Sequence, residues 1–426
     1  MENDIVSAIN RLKQGKPPGN GAVIREITVG IQDLIHFLEK NYLEEYIKLG
    51  GSKIKFLTGK KGSGKSHFLG YLADTAKNLG FITVYLSAKS VWLHDFKDIY
   101  FEIYNKCDLE ACLKKCADKI IGDMGYDCQA IPDGVSFTDY LSSTGDLDAI
   151  TKKEIRNQLQ QMFLKNPLID NNFAVVCSFL TGEILGHPQL DDSNRDMLKL
   201  WLAGSKEIKL TAIRKLGLST ARITKYNARH MLRSLIEIHC LAGYPGFWVA
   251  VDDMDILVNP DITDTIRYTK MKREDAYENI REMIDEIDSL KNIMFVLSFD
   301  NILIDDAFNG LKSYQALWLR IQNEIVSERF NNFTDIIDLN AYGNQIYTEE
   351  TLMEMSRLLA DLFNRNYQGA EAINRECASE IRLNAIHSNT APPGQTGYFT
   401  LNKHQPELGA NDLFVSETER SADGIW

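Results

Sequence analysis

Apolar residues fall along this chain in two alternating rhythms. Short apolar runs occur at Lys53 to Thr58, Ile82 to Ser87, Phe247 to Asp252, Asn292 to Ser298 and Thr334 to Leu339, and between them apolar positions recur at helical spacing. Such runs, bounded by turn residues, predict strands buried on both faces, and the intervening periodicity predicts helices, so the expected fold class is α/β with a parallel sheet. Ahead of the first run, Ile5 to Leu12 reads as a short amphipathic helix, GKPPGNGA as a turn, and Ile31 to Tyr46 as a longer helix burying Ile31, Leu34, Ile35 and Leu38. Between the second and third runs the chain makes a long insertion. Its periodic stretches, Leu109 to Ile121, Ile155 to Phe163 and Met197 to Leu202, predict a mostly helical subdomain. After the fifth run, Thr348 is placed to cap a helix whose apolar stripe is Leu352, Met355, Leu358, Leu359 and Leu362, a helical lid. From Asn389 onward, PPGQTG and a scarcity of aliphatic residues predict a tail without a packed core. The expected organisation is 1–95 for the N-terminal helices and first half of the core, 96–235 for the insertion, 236–345 for the second half, 346–388 for the lid and 389–426 for the tail.

One junction between these rhythms carries chemistry. Directly after the first strand run, Gly59 to Ser66 read GKKGSGKS, which fits the phosphate-loop pattern G-x-x-x-x-G-K-[ST] at every fixed position. Gly59, Gly62 and Gly64 let the backbone curl with its N–H groups inward, Lys65 supplies a charge for β- and γ-phosphates, Ser66 offers a hydroxyl to Mg²⁺, and the following helix points its positive end at the anion. The nucleotide-binding stretch is therefore Gly59, Lys60, Lys61, Gly62, Ser63, Gly64, Lys65, Ser66 and His67. A phosphate loop needs a second acidic strand, and Phe247 to Asp253 reads FWVAVDD. Asp252, at the C-terminal end of a buried run, is the expected metal carboxylate, and Asp253 is the expected catalytic acid that positions water. Many such ATPases carry glutamate there. Aspartate is one methylene shorter, which predicts a closer water or slow hydrolysis. Taken alone, Asp-Asp after a strand also suits a turn or helix cap, and Asp255 is a further acid nearby.

Composition narrows the setting. The 426 residues are 44% apolar, enough for one large or two ordinary domains, and no run is long enough to span a membrane. The N-terminus MENDIVSAIN lacks the basic start and apolar core of a secretion signal, so the cytoplasm is the expected compartment and no membrane association is expected. Seven cysteines suit reduced thiols, and Cys107, Cys112, Cys116 and Cys128 lack the paired spacing of a zinc site. A net charge of −12 argues against a general nucleic-acid coat. One segment is basic nonetheless: Lys206, Lys209, Arg214, Lys215, Arg222, Lys225, Arg229 and Arg233, with Glu207 the one acid among them. It reads equally as a phosphate-backbone contact and as a solvated helix face. ATP is expected over GTP because no N-K-x-D motif occurs; Asn402-Lys403-His404-Gln405 lacks the aspartate.

With both motifs and the strand order in hand, the chain resembles P-loop NTPases of the AAA+/ASCE-like, origin-recognition-like division. A narrower likeness rests on "INRLKQGKPPGNGA…ITVGIQDLI", "FLTGKKGSGKSHFL", "NARHMLRSLIEIHCLAGYPGFWVAVDD" and "DAFNGLKSYQALWLRI". These are similar to the ATP-binding proteins of bacterial BREX antiphage systems, the BrxD-like family, over about Ile5 to Asn366. The resemblance implies ATP and Mg²⁺ as cofactors, ATPase activity, a homo-oligomer, and DNA or a DNA-processing partner such as a helicase or methyltransferase. It also implies where further catalytic groups lie: Ser298 as a sensor-like polar residue, with Asn301 the alternative, and Arg320 as an arginine finger acting on a neighbouring subunit, with Arg329 the rival. A reading from another class is a slow or non-hydrolysing ATP-gated signalling or scaffold module that recruits partners through the insertion. A kinase would need an acceptor-substrate motif, and none is visible.

Overall fold

The computed structural model describes residues 2–13, 16–205, 207–208, 210–219, 221–322, 334–367, 369–387 and 399–401. Five strands, β1 (Ser52–Gly59), β2 (Ile82–Ser87), β3 (Phe247–Asp252), β4 (Ile293–Asp300) and β5 (Ile336–Asp338), form one parallel sheet in the order β2-β3-β4-β1-β5. All five coincide with the apolar runs to within a few residues. In the chain's linear order β2 lies between the phosphate-loop strand and the second acidic strand. In space β4 does so, because β3 and β1 both pair with β4 while β2 lies at the sheet edge. Parallel pairing requires crossovers, and the insertion supplies the connection from β2 to β3, its neighbour.

Strand alternation sorts the core into two layers. Phe247, Val249 and Val251 of β3 and Ile293, Phe295, Leu297 and Phe299 of β4 face the insertion's apolar cluster, which includes Tyr100, Leu113, Phe173 and Leu235. Trp248, Ala250, Met294 and Val296 face the other way, against Leu34, Leu38, Phe68 and Leu72. Both faces are therefore covered, as a parallel sheet requires. The insertion is helical, with Phe96–Lys106, Leu109–Asp123, Asn171–Leu185 and Ala228–Leu241 contributing most to the first layer. Cys112 and Cys116 lie on one buried helix face, both thiols directed at the Ile238 carbonyl at 3.5 and 3.8 Å.

The helix expected from Ile31 to Tyr46 changes pitch on the way. It is α-helical over Gln32–Leu38 and widens into a π-helix over Glu39–Ile47. At the other end, Thr348 Oγ1 accepts the Thr351 N–H at 3.2 Å and caps Glu349–Asn364. That helix packs Ala360, Leu362 and Phe363 against Ala8 and Ile9 of the first helix, Glu2–Lys13, so the two ends of the described chain share a small core. Within the segment after Asn389, β7 (Phe399–Leu401) pairs antiparallel with β6 (Ala370–Ala372).

Candidate nucleotide site

The C-terminal rim of the sheet gathers the loop from β1, the acids after β3 and the end of β4. Gly62 and Gly64 adopt φ of +81° and +86°, the left-handed region where a side chain is strained, and this turns the loop backbone inward ahead of the helix Lys65–Asn78. At Gly59 a Cβ would lie 2.3 Å from Ser63 Oγ, so the loop closes only over glycine. Lys60 N–H donates to Asn340 Oδ1 at 2.8 Å, which ties the loop to the helix Leu339–Ile346 behind β5. Lys65 Nζ donates to the Gly59 carbonyl at 2.7 Å and the Lys60 carbonyl at 3.1 Å, and it lies 3.6 Å from Asp300 Oδ2. His67 sits on the opposite side of the same helix. Its Nε2 shares a hydrogen bond with Thr28 Oγ1 at 2.7 Å, and burial pushes its pKa down to about 4.

The two acidic positions are bound differently. Asp252 is buried at the end of β3; its Oδ2 accepts from Ser66 Oγ at 2.8 Å and from the Tyr85 hydroxyl, and its Oδ1 accepts the Asp253 N–H at 2.9 Å. Burial and the Asp252 carboxylate push the Tyr85 phenol well above its ordinary range, so it stays a donor. Asp253 has φ +61° and its Oδ2 accepts from Ser87 Oγ at 2.5 Å. Burial raises its pKa, and Asp252 adds to the rise while the Ser87 hydrogen bond opposes it. Asp255, in the turn Met254–Leu257, is raised mainly by burial as well, with Lys65 opposing and Asp253 and Asp300 adding.

This arrangement suits a nucleotide with its metal. Ser63 Oγ is buried in the loop and has no hydrogen-bond partner among the described residues, a donor left over inside the cradle. Ser66 and Asp252 present hard oxygens side by side, the ligand type that Mg²⁺ takes while keeping waters and substrate phosphates as its other ligands. The family comparison agrees: the model for the BREX system ATP-binding protein BrxC/D matches residues 2–388. The chain belongs to that family. ATP is accordingly its ligand, and its setting is BREX antiphage defence, a multi-protein system. No curated protein and no solved structure matches the chain.

The remaining positions expected in this BREX family member fall at different depths. Ser298 is fully buried opposite Leu57, and its hydroxyl has no partner among the described residues. Asn301 accepts from Thr58 Oγ1 at 2.9 Å. The residue of β4 that reaches the loop is Asp300, opposite Gly59. Arg320, on the helix Gln315–Gln322, makes a two-pronged contact with Asp285 at 2.5 and 2.8 Å. Arg329, Lys206 and Lys209 lie outside the described residues. Tyr85, Ser87, Asp300 and Asn340 were missed in the sequence. For three of them a signal existed, since Tyr85 and Ser87 share a strand face at the end of β2 and Asp300 follows Ser298 by one full alternation. No helix among the described residues is long and apolar enough to cross a membrane.

Proposed function

We propose that this protein is a Mg²⁺-dependent ATPase whose nucleotide state drives assembly or the remodelling of DNA or a DNA-processing partner in BREX defence. The observation that carries the reading is the contact of Ser66 Oγ with Asp252 Oδ2 at 2.8 Å, which joins motifs 186 residues apart in sequence. Lys65 and the loop N–H groups hold the phosphates, and Ser66 and Asp252 hold the metal. The metal, when bound, neutralises charge on the phosphate oxygens. Asp253 orients water once its Ser87 contact opens. The same contact supports the second reading, a slow or non-hydrolysing ATP-gated scaffold, because it holds the acid by a hydroxyl on β2.

Replacing Lys65 by Ala tests the site. Equilibrium ATP binding is expected to weaken at least about tenfold, the loss of a charge-assisted contact, and turnover to vanish. Unchanged affinity would place the nucleotide elsewhere. Steady-state turnover of the parent protein separates the ATPase from the scaffold.

A further inference from the structure

The carboxylate ion-paired with Lys65 belongs to neither nucleotide motif. Asp300 closes β4 opposite Gly59, the first residue of the phosphate loop, with Oδ2 3.6 Å from Lys65 Nζ. We propose that Asp300 is a catalytic residue of the hydrolysis proposed above: its carboxylate faces the γ-phosphate and takes the proton of the attacking water.

Lys65 carries the ammonium that meets the β- and γ-phosphates, so a carboxylate in contact with it lies within reach of what it holds. Alternation along β4 places Ser298 and Asp300 on one face, one sunk opposite Leu57 and the other at the rim. The Asp300 side chain is 26% exposed, so water reaches it. As proton acceptors its rivals are less well placed, and Asp253 is left the role of orienting the water. Asp253 is turned toward β2 by its left-handed backbone and by Ser87, with Lys89 as its cationic neighbour. Asp255 lies among Lys65, Asp253 and Asp300, where burial favours its protonated form. Asp300 alone of the three is ion-paired with Lys65 among the described residues.

In the step itself the water oxygen bonds to the γ-phosphorus as the bond to the β–γ bridging oxygen breaks. The electron pair leaves with ADP. Asp300 receives the water's proton and then releases it to solvent, which regenerates the carboxylate.

Asp300→Asn, which preserves shape, tests this with the full chain. Two quantities are measured in Mg²⁺: affinity for ATP and ADP at equilibrium, and turnover. Removing a negative charge that faces the γ-phosphate is expected to raise the affinity for ATP relative to ADP at least about fivefold. Loss of the proton acceptor is expected to lower kcat at least about 100-fold, with Asp300→Glu restoring part of it. An unchanged affinity ratio, or a kcat within about threefold of the parent, would overturn the role. A parent that binds ATP and never hydrolyses it would overturn the hydrolysis reading and this role together. The affinity ratio would then still separate an Asp300 that faces the γ-phosphate from one that serves only Lys65.

Discussion

His239 stands in the core between the helix Ala228–Leu241 and β3, its ring 5.0 Å from Phe247 and 5.7 Å from Tyr244. Nδ1 bonds to the Leu235 carbonyl at 2.8 Å, while Nε2 has no partner among the described residues. Burial therefore disfavours the imidazolium, and the pKa falls from 6.5 to about 4. The unfolded chain binds a proton in that interval and the folded chain does not. Stability from this group is thus complete above the unfolded value and is lost as pH falls toward 4, by at most about 3 kcal/mol. His67 is shifted in the same direction and adds to the slope. His239→Phe keeps the ring contacts and removes the proton site, so its urea-unfolding free energy is expected to vary less than the parent's between pH 6.5 and 4. An identical slope would assign the acid sensitivity elsewhere.

Two elements show how local sequence is put to use by its neighbours. The end of β2 donates Tyr85 to Asp252 and Ser87 to Asp253, so an edge strand holds both acids of the strand beside it. The basic stretch that runs into the helix Ala228–Leu241 shows the opposite outcome for charge. Arg222 donates to the Ile208 carbonyl, Arg233 to the Leu168 carbonyl, and Arg229 pairs with Glu282 while its guanidinium lies 5.1 Å from the Phe96 ring centre. These serve the fold. Arg214, Lys215 and Lys225 are exposed, with exposed Tyr226 beside Lys225. If this segment touches DNA phosphates, the double variant Lys215→Ala, Lys225→Ala is expected to bind duplex DNA more weakly and to flatten the logarithmic salt dependence by up to about two units. Binding and slope equal to the parent's would remove direct DNA contact through these lysines.

At the scale of the whole molecule, the finger expected at Arg320 would have one copy of the chain complete another's site, which is a question for experiment. Within the chain Arg320 is engaged: Nε and Nη2 grip Asp285, Nη1 donates to the Ala316 carbonyl at 2.6 Å, and Arg281 adds a second cation to the same carboxylate. These contacts hold Asp285 below the usual carboxylate range. A finger acting in trans must exchange Asp285 for a neighbour's γ-phosphate. Such an exchange is feasible because the pair is partly exposed, where an ion pair is worth about 1 kcal/mol or less. Arg320→Ala is expected to spare ATP binding and to abolish hydrolysis that rises with protein concentration. Mixed with Lys65→Ala, which retains Arg320, it is expected to regain part of that activity. Full activity of Arg320→Ala alone would exclude the finger.

The strands and the phosphate loop were legible in the sequence because each is decided locally. An apolar run such as FWVAVD has one stable fate, burial on both faces, and GKKGSGKS closes only where glycine tolerates positive φ. The Thr348 cap was legible for the same reason, since its acceptor and donor lie three residues apart. Strand order was not, because pairing depends on which crossovers pack, and β4 entered between β1 and β3 from downstream in the chain. Nor was the depth of a residue along its strand. Ser298 and Asp300 share a face and differ only in register against β1, which buries one and brings the other to Lys65. Charge told least of all, since whether an arginine meets solvent, a carboxylate or a carbonyl is settled by groups that only folding brings near. Arg229 and Glu282, or Ser66 and Asp252, become neighbours when the sheet and its covering helices assemble, and the chemistry of the site begins there.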